Sequence, residues 1–213
     1  MDDYTINEKG YIKKTNSIGT HFDRLLFNND KSKSIVINDK NLLKQFEYQR
    51  DDYEGHYAST HSLSDASKLF KFVADYTNVE WGIDGYKDNG SSYYIIKTTH
   101  DSDLKVNYTK KQVGNMTFKL HSHPKKGGND EASGNYGNIP KNAHKISSRY
   151  TTGDQKVLLM IYSLYDEIHP NKNRPNAFIY NARTHNIFKY DVFNPRIGAI
   201  KISNSLQLQR ILR

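Results

Sequence analysis

The stretch "VEWGIDGYKDNGSSYYIIKTT", residues 79–99, constrains this chain more than any other. Two runs rich in aromatic and β-branched residues flank Lys-Asp-Asn-Gly. Asn-Gly tolerates the positive φ angles of a two-residue turn whose twist matches that of paired strands, so the stretch reads as an antiparallel hairpin. A helix is expected just before it. Ala66, Leu69, Phe70, Val73 and Tyr76 recur at spacings of three and four, one apolar stripe, and Ser62 or Ser64 can cap its start. Beyond the hairpin, "MTFKLH" (116–121) alternates as a strand, and "PKNAHKISSRY" opens at Pro140 as a short helix. "KVLLMIYS" (156–163) is the most apolar run and is expected to be the central strand, covered on both faces. "AFIYNARTHNIFKYDVF" reads as a closing hairpin. The succession predicts an α/β (α+β layered) domain, a mixed sheet flanked by helices.

The first sixty residues read differently. "YTINEKGYIKKT" and "FDRLLFNNDKSKSIVIND" are two hairpins with turns at Glu-Lys-Gly and Asn-Asn-Asp. Neither buries much alone, so both must lean on something larger. A polar stretch near residues 50–61 sets the expected boundary: a β-rich appendage over 1–61 and the main domain over 62–213.

Composition narrows the chemistry. Hydrophobic residues make up 36% of the 213, yet 16 Tyr and 9 Phe are too many for a disordered chain. No cysteine is present, which excludes thiolate metal sites and leaves histidine and carboxylate as ligands. The net charge of +8 is scattered among acids and amides rather than gathered in a stripe, so nucleic acid is not the expected partner. No apolar run approaches the roughly 18 residues of a membrane span, and "MDDYTINEKG" is no signal peptide, so no membrane partner is expected.

The chemistry concentrates in "FKLHSHPKKGGNDEASGNYGNIP", residues 118–140. Residues i and i+2 of a strand face the same way, so His121 and His123 can hold one ion while Ser122 points away. Pro124 ends the ladder, and the loop of Gly, Asn and Ser that follows can arch over an open coordination face. A hydrolytic zinc also needs a base for its water. Glu80, between Val79 and Trp81, is the candidate. His100, His169 and His185 look like isolated, solvated residues, and Trp81 like core or a pocket wall.

Glu80 after a helix, then His-Ser-His-Pro some forty residues on, then a serine in the loop, resembles the JAMM (MPN-plus) metalloprotease signature. More narrowly, "FKFVADYTNVEWGIDGYKDNG", "HSHPKKGG" and the tyrosine-rich C-terminal hairpin resemble the JAB-like toxin domain of bacterial RHS-type and other polymorphic toxins. The resemblance implies a zinc-dependent peptidase or isopeptidase effector acting on a protein or peptide in a target cell, restrained by an immunity protein and delivered as part of a larger toxin. It implies Glu80 as general base, His121 and His123 as zinc ligands, and Ser133 as the donor to the oxyanion. The third ligand does not carry over directly. The family aspartate falls on Asn135 counted from His123, and on Tyr136 counted from Ser133. Asp130 in the same loop, or His144 beyond it, can take its place. A non-catalytic, partner-binding module of the same fold is the alternative.

Overall fold

The computed structural model describes residues 2–17, 22–47, 56–98, 109–125, 131–134, 136 and 153–213. Strands β1 (Asp2–Ile6) and β2 (Ile12–Ser17) form the first expected hairpin, and β3 (Asp23–Phe27) and β4 (Asp30–Ile37) the second. Asn28 and Asn29 turn the second at φ 49° and 61°, a conformation asparagine tolerates better than most residues. β1 also pairs in parallel with β3, which joins the hairpins into one sheet of order β2-β1-β3-β4. This sheet leans on helices, as its small size demands. Ile6, Leu25 and Ile37 share one buried cluster with Leu42, Leu43 and Phe46 of α1 (Lys40–Glu47) and with Leu69, Phe70 and Val73 of α2 (Leu63–Tyr76). α2 starts where its stripe predicted, with the Ser62 hydroxyl accepting from the Asp65 backbone N–H.

The second sheet has seven strands: β5 (His56–Thr60), β6 (Trp81–Asp88), β7 (Ser91–Thr98), β8 (Met116–His123), β9 (Asn176–Asn181), β10 (Asn186–Tyr190) and β11 (Ile197–Lys201). Their order is β11-β10-β9-β8-β6-β7-β5. Asn89 and Gly90, at φ 49° and 82°, make the hairpin turn read from Asn-Gly. Helices α3 (Lys110–Asn115), α4 (Gly153–Ile168) and α5 (Ser205–Ile211) complete the mixed α/β fold with its N-terminal hairpin region. Among the described residues no helix is long and apolar enough to cross a membrane.

The run at 156–163 is not a strand. It lies inside α4, whose buried residues Leu158, Ile161, Tyr162 and Tyr165 fall at helical spacing. An eight-residue apolar run fits either element by composition, and here length decides: the pattern continues to Ile168, sixteen residues in all. The sheet confirms why a helix is required. β8 and β9 pair in parallel, and parallel neighbours need a long crossover, which α4 helps to build. The short helix expected from Pro140 lies outside the described residues.

Alternation along β6 and β8 separates two faces. Trp81, Ile83, Phe118 and Leu120 join the cluster under α2, whereas Tyr86, Ala177, Ile179 and Tyr190 join a second cluster with α4. His121 and His123 belong to the α4 face. Ser122 points the other way, as the period of two requires, and its hydroxyl accepts from the Trp81 backbone N–H at 3.0 Å.

Candidate metal centre

β8 ends at His123, and α4 lies in the crossover to the parallel strand β9. This route brings the N-terminus of α4 over the C-terminal end of β8. Asp154, the second residue of α4, stands there against both histidines. His121 Nε2 lies 3.1 Å from Asp154 Oδ1, His123 Nε2 lies 3.7 Å from Asp154 Oδ2, and the two Nε2 atoms are 3.3 Å apart. Ligand atoms held tetrahedrally around zinc at about 2.0–2.1 Å lie about 3.3 Å from one another. The three side chains therefore already have the spacing of three corners of such a site, and they form a cluster able to hold a metal ion.

The charge state suits that use. Burial lowers the His121 pKa, so its ring stays neutral below the usual histidine range. Burial works to raise the Asp154 carboxyl, but the His121 ring beside it and the hydrogen bonds from His121, His123 and the Ser133 backbone together outweigh this, and Asp154 is held well below the usual carboxylate range. An ionised carboxylate with a neutral imidazole is the protonation state a divalent cation requires. The start of α4 also favours an anion through its helix dipole.

Ser133 fixes Asp154 from the loop. Its backbone N–H and its hydroxyl donate to Asp154 Oδ2 at 2.8 and 2.9 Å. The same hydroxyl accepts from the Asp154 N–H at 3.0 Å, and the Ser133 carbonyl accepts from the Gln155 N–H at 3.1 Å. Ser133 thus caps a helix that begins twenty residues later. Gly153 makes the approach feasible: at φ 53° it bends the chain into α4, and a Cβ there would collide with the Ser133 hydroxyl.

On the other side of β8 lies β6. Gly82 pairs with His121, so no side chain occupies the position beside the metal ligand. Glu80 immediately precedes β6 rather than lying within it, half-buried, with its carbonyl accepting from the Thr98 hydroxyl at 2.7 Å. Continuing the antiparallel register by two residues sets Glu80 opposite His123, on the histidine face.

Of the residues singled out from the sequence, the structure brings His121, His123 and Ser133 together, with Glu80 on the neighbouring strand end. Asp130, Asn135 and His144 lie outside the described residues. The carboxylate that completes the cluster, Asp154, had no role in the sequence reading. Its signal was present as an acid in the first turn of a helix, preceded by glycine, but reading 156–163 as a strand concealed it. His169 and His185 are not simply solvated. His169 Nε2 sits 2.8 Å from the Gly114 carbonyl, and His185 Nδ1 sits 2.8 Å from the Tyr180 hydroxyl and 3.2 Å from Asp75 Oδ1. Trp81 is fully buried, as expected. His100 lies outside the described residues.

A mixed sheet with two same-face histidines and a helix-borne aspartate is the arrangement of a JAMM-like metal site. Residues 58–158 match the model of a family described as JAB-like toxin 1, so over that part the chain is similar to a JAB-like toxin domain. The matched span includes Glu80, the histidine pair, Ser133 and Asp154. No curated protein and no solved structure matches the chain.

Proposed function

We propose that this chain is a zinc-dependent peptidase or isopeptidase, the effector domain of a bacterial polymorphic toxin. The observation that carries the reading is the convergence of His121 Nε2, His123 Nε2 and the Asp154 carboxylate to within 3.1–3.7 Å, beside a strand position that has no side chain. His121, His123 and Asp154 would hold the ion, which when bound supplies Lewis acidity towards an amide carbonyl and a water. Glu80 takes the proton from the attacking water and returns it to the leaving amine, a role typically worth a factor of about 10² to 10⁴. Gly82 leaves the space in which the scissile bond can approach. Ser133 orients Asp154 through its backbone N–H, and its hydroxyl, once it turns from Asp154 Oδ2, is the candidate donor to the tetrahedral oxyanion. The substrate is a protein or peptide in a target cell, reached by delivery within a larger toxin and protected against in the producer by an immunity protein.

The test is a zinc titration with a peptide-hydrolysis and growth-inhibition assay on wild type, the double variant His121→Ala/His123→Ala, and Glu80→Gln. The wild type should bind one zinc, and the double variant none. Glu80→Gln should keep fold and zinc but lose about 10²-fold or more in hydrolysis. A wild type that takes up no zinc at micromolar concentration refutes the hydrolase and leaves the partner-binding module. A toxic Glu80→Gln variant removes Glu80 from the chemistry.

A further inference from the structure

Among the described residues, three polar atoms in the space between the large sheet and α4 are buried without a hydrogen-bond partner: His121 Nδ1, the Tyr190 hydroxyl and the Tyr136 hydroxyl. Leaving such a group unpaired costs about 1–3 kcal/mol, and buried polar groups in proteins are normally satisfied, often by an ordered water that makes two to four bonds. Two of these atoms belong to rings that meet directly. The Tyr190 ring stands edge-on to the His121 ring, with centroids 6.1 Å apart and planes at 87°. The two rings meet diagonally across β9: Tyr190 pairs with Ala177, and Ala177 pairs with Lys119, two residues before His121 on the same face.

We propose that Tyr190 is a positioning residue for His121, holding the imidazole through one buried water shared between the Tyr190 hydroxyl and His121 Nδ1. The functional half of this proposal rests on the metal-site reading above; the structural half does not. A tyrosine hydroxyl carries its proton at neutral pH. It therefore both donates and accepts, as water does. That two-way capacity matters because His121 must change roles. When its Nε2–H donates to Asp154 Oδ1, Nδ1 is an acceptor. When the Nε2 lone pair faces a metal, the proton moves to Nδ1, which becomes a donor. A carboxylate or a backbone N–H would match one state only. A water and a hydroxyl match both, so the ring need not move when the site loads.

A high-resolution crystal structure of the metal-free chain should show an ordered water within hydrogen-bond distance of both His121 Nδ1 and the Tyr190 hydroxyl. In Tyr190→Phe, nitrogen NMR of the imidazoles should move the His121 Nδ1 signal toward that of an unbonded ring nitrogen, with the melting temperature retained. Zinc should bind that variant about 10–100-fold more weakly. A wild-type structure with no water between the two groups overturns the proposal. So does a Tyr190→Phe variant whose Nδ1 signal stays in place, or one that binds zinc as tightly as the wild type. Should Tyr190→Phe not fold, the wild-type structure decides alone. Should the wild type bind no zinc, the metal reading fails, while the water and the nitrogen signal still decide the link.

Discussion

Asp154 differs from the other residues of the cluster in how it arrives. His121 and His123 share a face because a strand repeats every two residues, so their pairing is local and readable from His-Ser-His-Pro. Asp154 is thirty-one residues beyond His123 in the chain and meets it only because of where α4 starts. The geometry sets a contest between two carboxylates. Asp154→Ala should weaken zinc binding by at least about 100-fold, because it removes the one charged ligand and leaves two neutral imidazoles around a divalent ion. Asp130→Ala should weaken it far less. A competition titration against a chelator of known affinity measures both, and the opposite ranking would assign the third ligand to the loop.

The elements impose their own requirements, and the junction of Ser133 with α4 is the most exacting. Gly153 combines a positive φ with a tight approach to Ser133, so Gly153→Ala suffers twice. The left-handed conformation alone costs an alanine about 1–2 kcal/mol, and the collision adds to it. Gly198 is the matched control, since it has φ 63° but open space around its would-be Cβ. Denaturant unfolding should show the Gly153 variant to be the less stable of the two, and only that variant should lose zinc affinity, because only there does the shift displace Asp154. At the same scale, the hairpin at Asn89–Gly90 and the capped stripe of α2 were legible, since turn chemistry and helical period are short-range signals. α4 was misread because the run at 156–163 within it fits a strand and a helix equally by composition.

At the scale of the whole molecule, the α4 face of the sheet carries more polar burial than an apolar core would. Lys97 on β7 forms a buried ion pair with Asp84 on β6, and the Tyr86 hydroxyl donates to the same carboxylate. Burial lowers the Lys97 pKa from 10.5 to about 8. The unfolded chain therefore holds more protons than the folded one between pH 8 and 10.5, and stability should rise with pH across that window, by up to about 1.4 kcal/mol per pH unit. Unfolding free energies of the wild type and of Asp84→Asn/Lys97→Met at pH 8 and 9.5 isolate the effect before exposed tyrosines ionise. The wild type should gain relative to the double variant, and parallel pH dependences would mean that the pair does not titrate differently on folding.

The same scale divides what was readable from what was not. Periodicity, turn residues and a proline after two histidines are contained within a few neighbouring positions, and they were enough for the mixed α/β class, the N-terminal hairpins and one half of a metal site. The parallel pairing of β1 with β3 and of β8 with β9, the crossover through α4 and the meeting of Asp154 with the histidines join residues twenty to sixty positions apart. No local pattern encodes such a contact. It follows from which faces must be buried together and from the long connection that a parallel strand pair demands, and so the meeting of Asp154 with the histidines and the packing of Tyr190 against His121 emerge only once the sheet is assembled.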